Sequence, residues 1–149
     1  MKPVIVWFRR NLRLHDNPAL CAAAESGRPV VAAYISDALD AGGASRWWLH
    51  HSLSSLDAAL QQHGAGLIIR SGNPIDLLPG IVEATGDESV FFSRRYEPGA
   101  RAQENALEKA LSDSSELCGM DDGLIRHPDS VMTGAGTPYK VFTPFWKAE

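Results

Sequence analysis

Val4-Ile5-Val6-Trp7-Phe8, then Asn17-Pro18-Ala19-Leu20-Cys21-Ala22-Ala23-Ala24, then Val30-Val31-Ala32-Ala33-Tyr34-Ile35 is the stretch that decides the fold. The first run is apolar without alternation and rich in β-formers, the pattern of a strand covered on both faces in a parallel sheet. Asn17 can cap a helix with Pro18 in its first turn, and the Ala-rich body runs to Ser26-Gly27. The second apolar run, Val30 to Ile35, follows that helix, so the three pieces make a βαβ unit.

The alternation continues outward from this unit. Ser45 is the expected N-cap of a helix reaching about His63, with Leu49, Leu53, Leu56 and Leu60 forming one apolar stripe. Leu67-Ile68-Ile69 reads as a strand, Asn73-Pro74 opens a helix ended by Gly86, Ser89 to Phe92 is a strand, Pro98 starts a helix to about Leu111, and Glu116-Leu117-Cys118 is a last, weaker strand. This order predicts an α/β fold: a doubly wound, Rossmann-like, five-stranded parallel sheet with helices on both faces. Ligands of such sheets lie beyond the carboxyl ends of the strands, here the loops after Phe8, Ile35, Arg70 and Phe92. From Met120 onward glycine, proline and aromatics replace the pattern. The expected division is one domain over 1–130 and the start of a connector over 131–149.

Composition narrows the function classes. The 149 residues are 44% hydrophobic and 21% charged, as in soluble globular domains. Lys plus Arg total 14 against 18 Asp plus Glu, so no basic surplus exists to neutralise a phosphate backbone. Cys21 and Cys118 have no metal-ligand spacing, His50-His51 lacks a third ligand nearby, and the expectation is two buried thiols, no metal, a cytoplasmic setting and no membrane span. Neither Gly-x-Gly-x-x-Gly nor a Gly-Lys-Ser/Thr loop is present, which disfavours standard dinucleotide or triphosphate binding. An adenine-nucleotide enzyme of similar topology would also need a phosphate-cradling loop.

In place of those loops stands Trp7-Phe8-Arg9-Arg10-Asn11-Leu12-Arg13-Leu14-His15-Asp16-Asn17-Pro18-Ala19-Leu20. This segment resembles the opening of photolyases and cryptochromes, Trp-Phe-Arg-x-Asp-Leu-Arg-x-x-Asp-Asn-x-x-Leu. Val131 to Trp146 resembles the family's segment between sheet and interdomain linker, and Tyr96-Glu97-Pro98 with Arg101 is a third match. Trp47-Trp48-Leu49-His50-His51 is similar to bacterial photolyases of cyclobutane dimers that group near plant cryptochromes. The resemblance implies strand order 3-2-1-4-5 and a light-harvesting domain binding an antenna chromophore: methenyltetrahydrofolate, an 8-hydroxy-5-deazaflavin or a flavin. It also implies that FAD and most contacts to damaged DNA belong to a C-terminal helical domain, and that the whole protein, a monomer, repairs pyrimidine dimers in light. This domain itself then makes or breaks no bond and has no catalytic residue. A cryptochrome-type blue-light photoreceptor or interaction module is the alternative.

The candidate chromophore contacts are Arg9, Arg10, Asn11, Tyr34, Arg46, Trp47, Tyr96, Glu97 and Arg101. The arginines can orient an anionic or carbonyl-bearing ligand, or serve salt bridges. Trp47 faces away from the leucine stripe with His51 beside it, and can stack on a flat ring; Trp48 is expected to be partly core. Glu97 is a polar contact or a helix cap. Asn11 stands where the family usually has Asp. Gly99-Ala100 stands where some folate-binding members have Asn-Glu, which leaves a deazaflavin, a flavin, a differently held folate or no antenna.

Overall fold

The computed structural model describes residues 1–37 and 42–148. Its five parallel strands are β1 (Val4–Phe8), β2 (Val30–Ser36), β3 (Leu67–Ser71), β4 (Ser89–Ser93) and β5 (Glu116–Met120), in the order β3-β2-β1-β4-β5. All of β1 is buried because it is central and has helices on both sides. Alternation along β1 divides the core. Ile5 and Trp7 pack with Leu78, Val82 and Leu107, whereas Val4, Val6 and Phe8 pack with Ala23, Leu53, Leu56 and Leu60. The helices behind those contacts are α3 (Pro74–Thr85) and α4 (Pro98–Leu111) on one face, α1 (Pro18–Glu25) and α2 (Gly43–Gln61) on the other. Burying each large side chain in these layers contributes roughly 1.5–3 kcal/mol.

Local chemistry sets the helix ends. Asn17 accepts the Leu20 N–H at 3.2 Å and Asn73 accepts that of Ile75 at 3.1 Å, each with proline next in sequence. Gly86 ends α3 at φ 65°, a left-handed conformation that favours glycine. α2 begins two residues earlier than Ser45: Gly42 occupies the cap, its carbonyl accepting the Arg46 N–H at 3.0 Å, so Ser45 lies in the first turn.

Two burial expectations are corrected. Cys21 is exposed, because the Ala19 and Ala23 pair faces the sheet and residue 21 falls on the opposite side of α1; Cys118 is half-buried. Trp48 is 70% exposed, since the first turns of α2 run clear of the core and full burial begins only at Leu53. Trp47 points outward as expected, with its ring 4.4 Å from that of His51. After β5 come a 3-10 turn (Pro128–Ser130), a bridge between Met132 and Pro138, and α5 (Phe142–Ala148), where Phe142 and Trp146 are exposed. No described helix is long and apolar enough to cross a membrane.

Candidate functional site

Just past the carboxyl end of β1 the chain leaves the sheet through a loop held by two buried amides. Asn11 accepts the Arg9 N–H at 3.3 Å and donates to Ser93 Oγ at 2.7 Å and Asn17 Oδ1 at 3.1 Å. Asn17 donates in turn to the Arg13 carbonyl at 2.9 Å. Asn11 therefore works as a loop clamp. A carboxylate in its orientation would set oxygen against Asn17 Oδ1, so the amide suits this loop better than the family's usual Asp.

Arg9 forms the buried floor. Its guanidinium pairs with the Glu104 carboxylate from α4, donates to the Ser93 carbonyl and Gln103 Oε1 at 3.3 Å each, and lies 4.6 Å from the Trp7 ring centroid. Burial pulls the Arg9 pKa down and the Glu104 bond opposes that shift. Glu104 also accepts the Arg95 backbone N–H at 3.1 Å, so one carboxylate fixes both loops.

Above this floor the groups are more exposed. Arg10 and Arg95 both reach one oxygen of Glu97, at 2.7 and 3.3 Å. Glu97 sits at the cap position of α4 but makes no side-chain cap bond, and its own backbone N–H, then Arg95, hold its carboxyl below the usual range. Tyr96 donates its hydroxyl to Asp121; burial first, then that bond, pushes the phenol up to about 12. Asp122 accepts from Arg13 at 2.7 Å and Ser93 Oγ at 2.9 Å, which folds the segment after β5 into the wall.

Two neighbouring crevices result. The larger, about 560 Å³, lies between the loops after β1, β4 and β5 and is lined by Arg9, Arg10, Asn11, Arg13, Arg94, Arg95, Tyr96, Glu97 and Asp122, among others. The second, about 330 Å³, shares Arg9, Arg10 and Arg95 with it and adds Trp7, Tyr34, Ile35, Asp37, Pro74 and Gln103. Five arginines against two carboxylates line the first, in a chain of net charge −4. Such an arrangement suits a ligand rich in acceptor oxygens.

Not every candidate residue converges here. Arg101 lies beyond Tyr96, 5.7 Å from its ring centroid and 3.4 Å from Asp129, in a separate opening. Arg46 borders a hollow beside Leu49 and Ile69, and Trp47 lines none of these spaces. Sequence reasoning had no place for Glu104, Ser93 or Asp122. Only Asp122 had a signal, its position just after the strand that neighbours β4.

The chain is a parallel doubly wound α/β domain whose crevice lies where β1 passes to β4, the place at which such sheets generally take their ligands. A family model described as DNA photolyase matches residues 4–149, and the chain belongs to that family. It is 44% identical over 149 residues to a deoxyribodipyrimidine photo-lyase of Agrobacterium fabrum, covering 98% of this chain and 31% of that protein. Cryptochrome-1 of Arabidopsis thaliana is 35% identical over 150 residues, covering 96% of this chain and 22% of that protein. Among solved structures, a class III photolyase from Agrobacterium tumefaciens superposes with a TM-score of 0.89 at 42% identity, covering 99% of this chain and 31% of that one. A Synechocystis cryptochrome gives 0.87 at 27% identity, covering 98% and 32%. The chain thus spans about a third, or less, of the length of these relatives.

Proposed function

We propose that this chain is the light-harvesting domain of a deoxyribodipyrimidine photolyase and holds an antenna chromophore in the crevices at the carboxyl ends of β1, β2 and β4. One observation carries the proposal: an acidic domain gathers Arg9, Arg10, Arg13, Arg94 and Arg95 around one cleft at the ligand end of its sheet. The bound pigment supplies light absorption and passes its excitation to FAD elsewhere in the whole protein. The residues of this chain have a positional task. Arg9, locked by Glu104, fixes the floor, Arg10 and Arg95 with Glu97 offer a rim of charge, and Tyr96 stays protonated as a donor at neutral pH.

The residues present fit a flavin, a deazaflavin or a folate held without contacts from positions 99 and 100. Gly99 has no side chain and open space around its Cα, and Ala100 is buried. Residues 131–149 act in this proposal as the start of a connector to a helical domain that carries FAD and meets damaged DNA. The free thiols Cys21 and Cys118 suit a reducing, cytoplasmic setting. A blue-light photoreceptor is the second reading, favoured by the 35% identity to cryptochrome-1.

The test is the absorption spectrum of the whole protein and of the 149-residue chain, with mass spectrometry of the released pigment. A second pigment, or more than one flavin per whole protein, supports the proposal; a single flavin per whole protein with no pigment on the 149-residue chain overturns it. Light-dependent dimer repair by the whole protein separates photolyase from photoreceptor.

A further inference from the structure

Gly119 stands in the interior of β5, where a residue without a side chain weakens a strand and marks a place that another group approaches closely. Here that group is Arg94. As the chain leaves β4, Arg94 donates its backbone N–H to the Met120 carbonyl at 2.8 Å, and its side chain turns back across β5 to donate Nε–H to the Gly119 carbonyl at 3.2 Å. A Cβ at position 119 would stand 2.8 Å from Arg94 Nε and 2.9 Å from its Cζ, closer than real Cβ contacts allow. Any other residue at 119 therefore pushes the guanidinium off the strand. The group displaced is the end of a flexible side chain, so the fold itself absorbs the change.

Among the arginines lining the larger crevice, Arg94 is the one farthest from a countercharge. Arg9 takes Glu104, Arg13 takes Asp122, and Arg10 and Arg95 share Glu97. Arg94 has only Glu104 among the described residues, 4.0 Å away and already bound to Arg9. Its side chain is 47% exposed, so a ligand can reach it, and it borders both the larger crevice and the opening of about 240 Å³ beside Arg101. We propose that Gly119 is a positioning residue that seats Arg94, and that Arg94 is a specificity determinant, selecting ligands that carry an anionic group, phosphate or carboxylate, over neutral ligands with the same ring. This rests on the antenna reading and deepens it. An arginine meets such a group through charge-assisted hydrogen bonds, and one without a close countercharge gives up least in doing so.

The experiment uses the whole protein with FAD in place and any second pigment removed, titrated by fluorescence with two pairs of probes. FMN with riboflavin isolates a phosphate, and methenyltetrahydrofolate with its glutamate diamide isolates the carboxylates. In the wild type the anionic member of at least one pair is expected to bind about tenfold more tightly than its neutral partner. Gly119→Ala and Arg94→Gln are each expected to remove that preference while leaving the neutral member's affinity as it was. The double variant is expected to match Arg94→Gln alone, because Gly119 acts only through Arg94. Equal binding of both members of each pair in the wild type, a preference that survives Gly119→Ala, or effects of the two substitutions that add, overturns the assignment and leaves the antenna reading intact. Failure of all four probes to bind the wild type overturns both. Failure of Gly119→Ala to fold overturns the positioning role, and Arg94→Gln still decides the specificity.

Discussion

Glu104→Gln tests whether the floor of the site depends on a buried charge. The Arg9 and Glu104 side chains are 4% and 9% exposed, and the same carboxylate accepts the Arg95 backbone N–H. The amide keeps the volume and one acceptor but removes the countercharge, leaving a guanidinium whose protonated form is already disfavoured by burial. Arg94, 4.0 Å from Glu104, then adds repulsion where it had added attraction. Removing one partner of a buried pair costs about 3–5 kcal/mol, and the retained hydrogen bond places this variant near the lower end. For a domain of this size about 3 kcal/mol corresponds to a fall in Tm of roughly 6–12 °C. Thermal unfolding followed by circular dichroism, with urea unfolding for the free energy, gives the number. The paired change Arg9→Met with Glu104→Leu is expected to recover most of it, because two apolar side chains leave no uncompensated charge. A Tm for Glu104→Gln within about 2 °C of wild type, a change of under 1 kcal/mol, would refute the reasoning.

Asp87, 4% exposed at the amino end of β4, has no well-formed hydrogen bond to its carboxylate oxygens among the described residues, and burial pushes its pKa from 3.8 up to about 6 against the pull of Arg28 and a weaker approach of the Ile5 N–H. The folded state therefore holds this proton more tightly than the unfolded state. Stability falls as pH rises from about 4 to about 6 and the deficit is complete at neutral pH, amounting to roughly 3 kcal/mol at most. Asp87→Asn is expected to stabilise the chain by about 1–3 kcal/mol at pH 7.5 and to flatten that part of the pH profile; an unaltered profile in urea titrations would count against it. Gly86 and Gly80 are expected to respond in opposite directions. Gly86→Ala places a Cβ at φ 65° and costs about 1–2 kcal/mol, whereas Gly80→Ala, inside α3 with open space around it, gains about 0.5–1 kcal/mol. Chemical denaturation of both variants checks the pair.

The strands and caps were legible in the sequence because each depends on neighbours along the chain. Continuous apolar runs marked β1 and β2, Asn-Pro pairs marked the starts of α1 and α3, and Gly86 marked a stop. The site was legible only as a set of loops. Nothing local distinguishes Arg9 from Arg10 or Arg13; Arg9 is buried because Glu104, 95 residues later, meets it from α4. Asp122 enters the wall through the pairing of β5 with β4, Ser93 standing opposite Met120, a relation fixed by the sheet as a whole. Trp48 and Cys21 were misplaced for a simpler reason. Helical periodicity gives direction but not how far a helix extends past its sheet, nor which of several small residues faces inward.

The central claim, that this domain harvests light for a flavin held elsewhere in the protein, is tested most directly by an action spectrum for pyrimidine-dimer repair by the whole protein. Repair is expected to be driven by light absorbed by a second pigment as well as by FAD, and that contribution is expected to vanish when the pigment is removed. A repair rate per incident photon that is the same with and without the second pigment bound would contradict it.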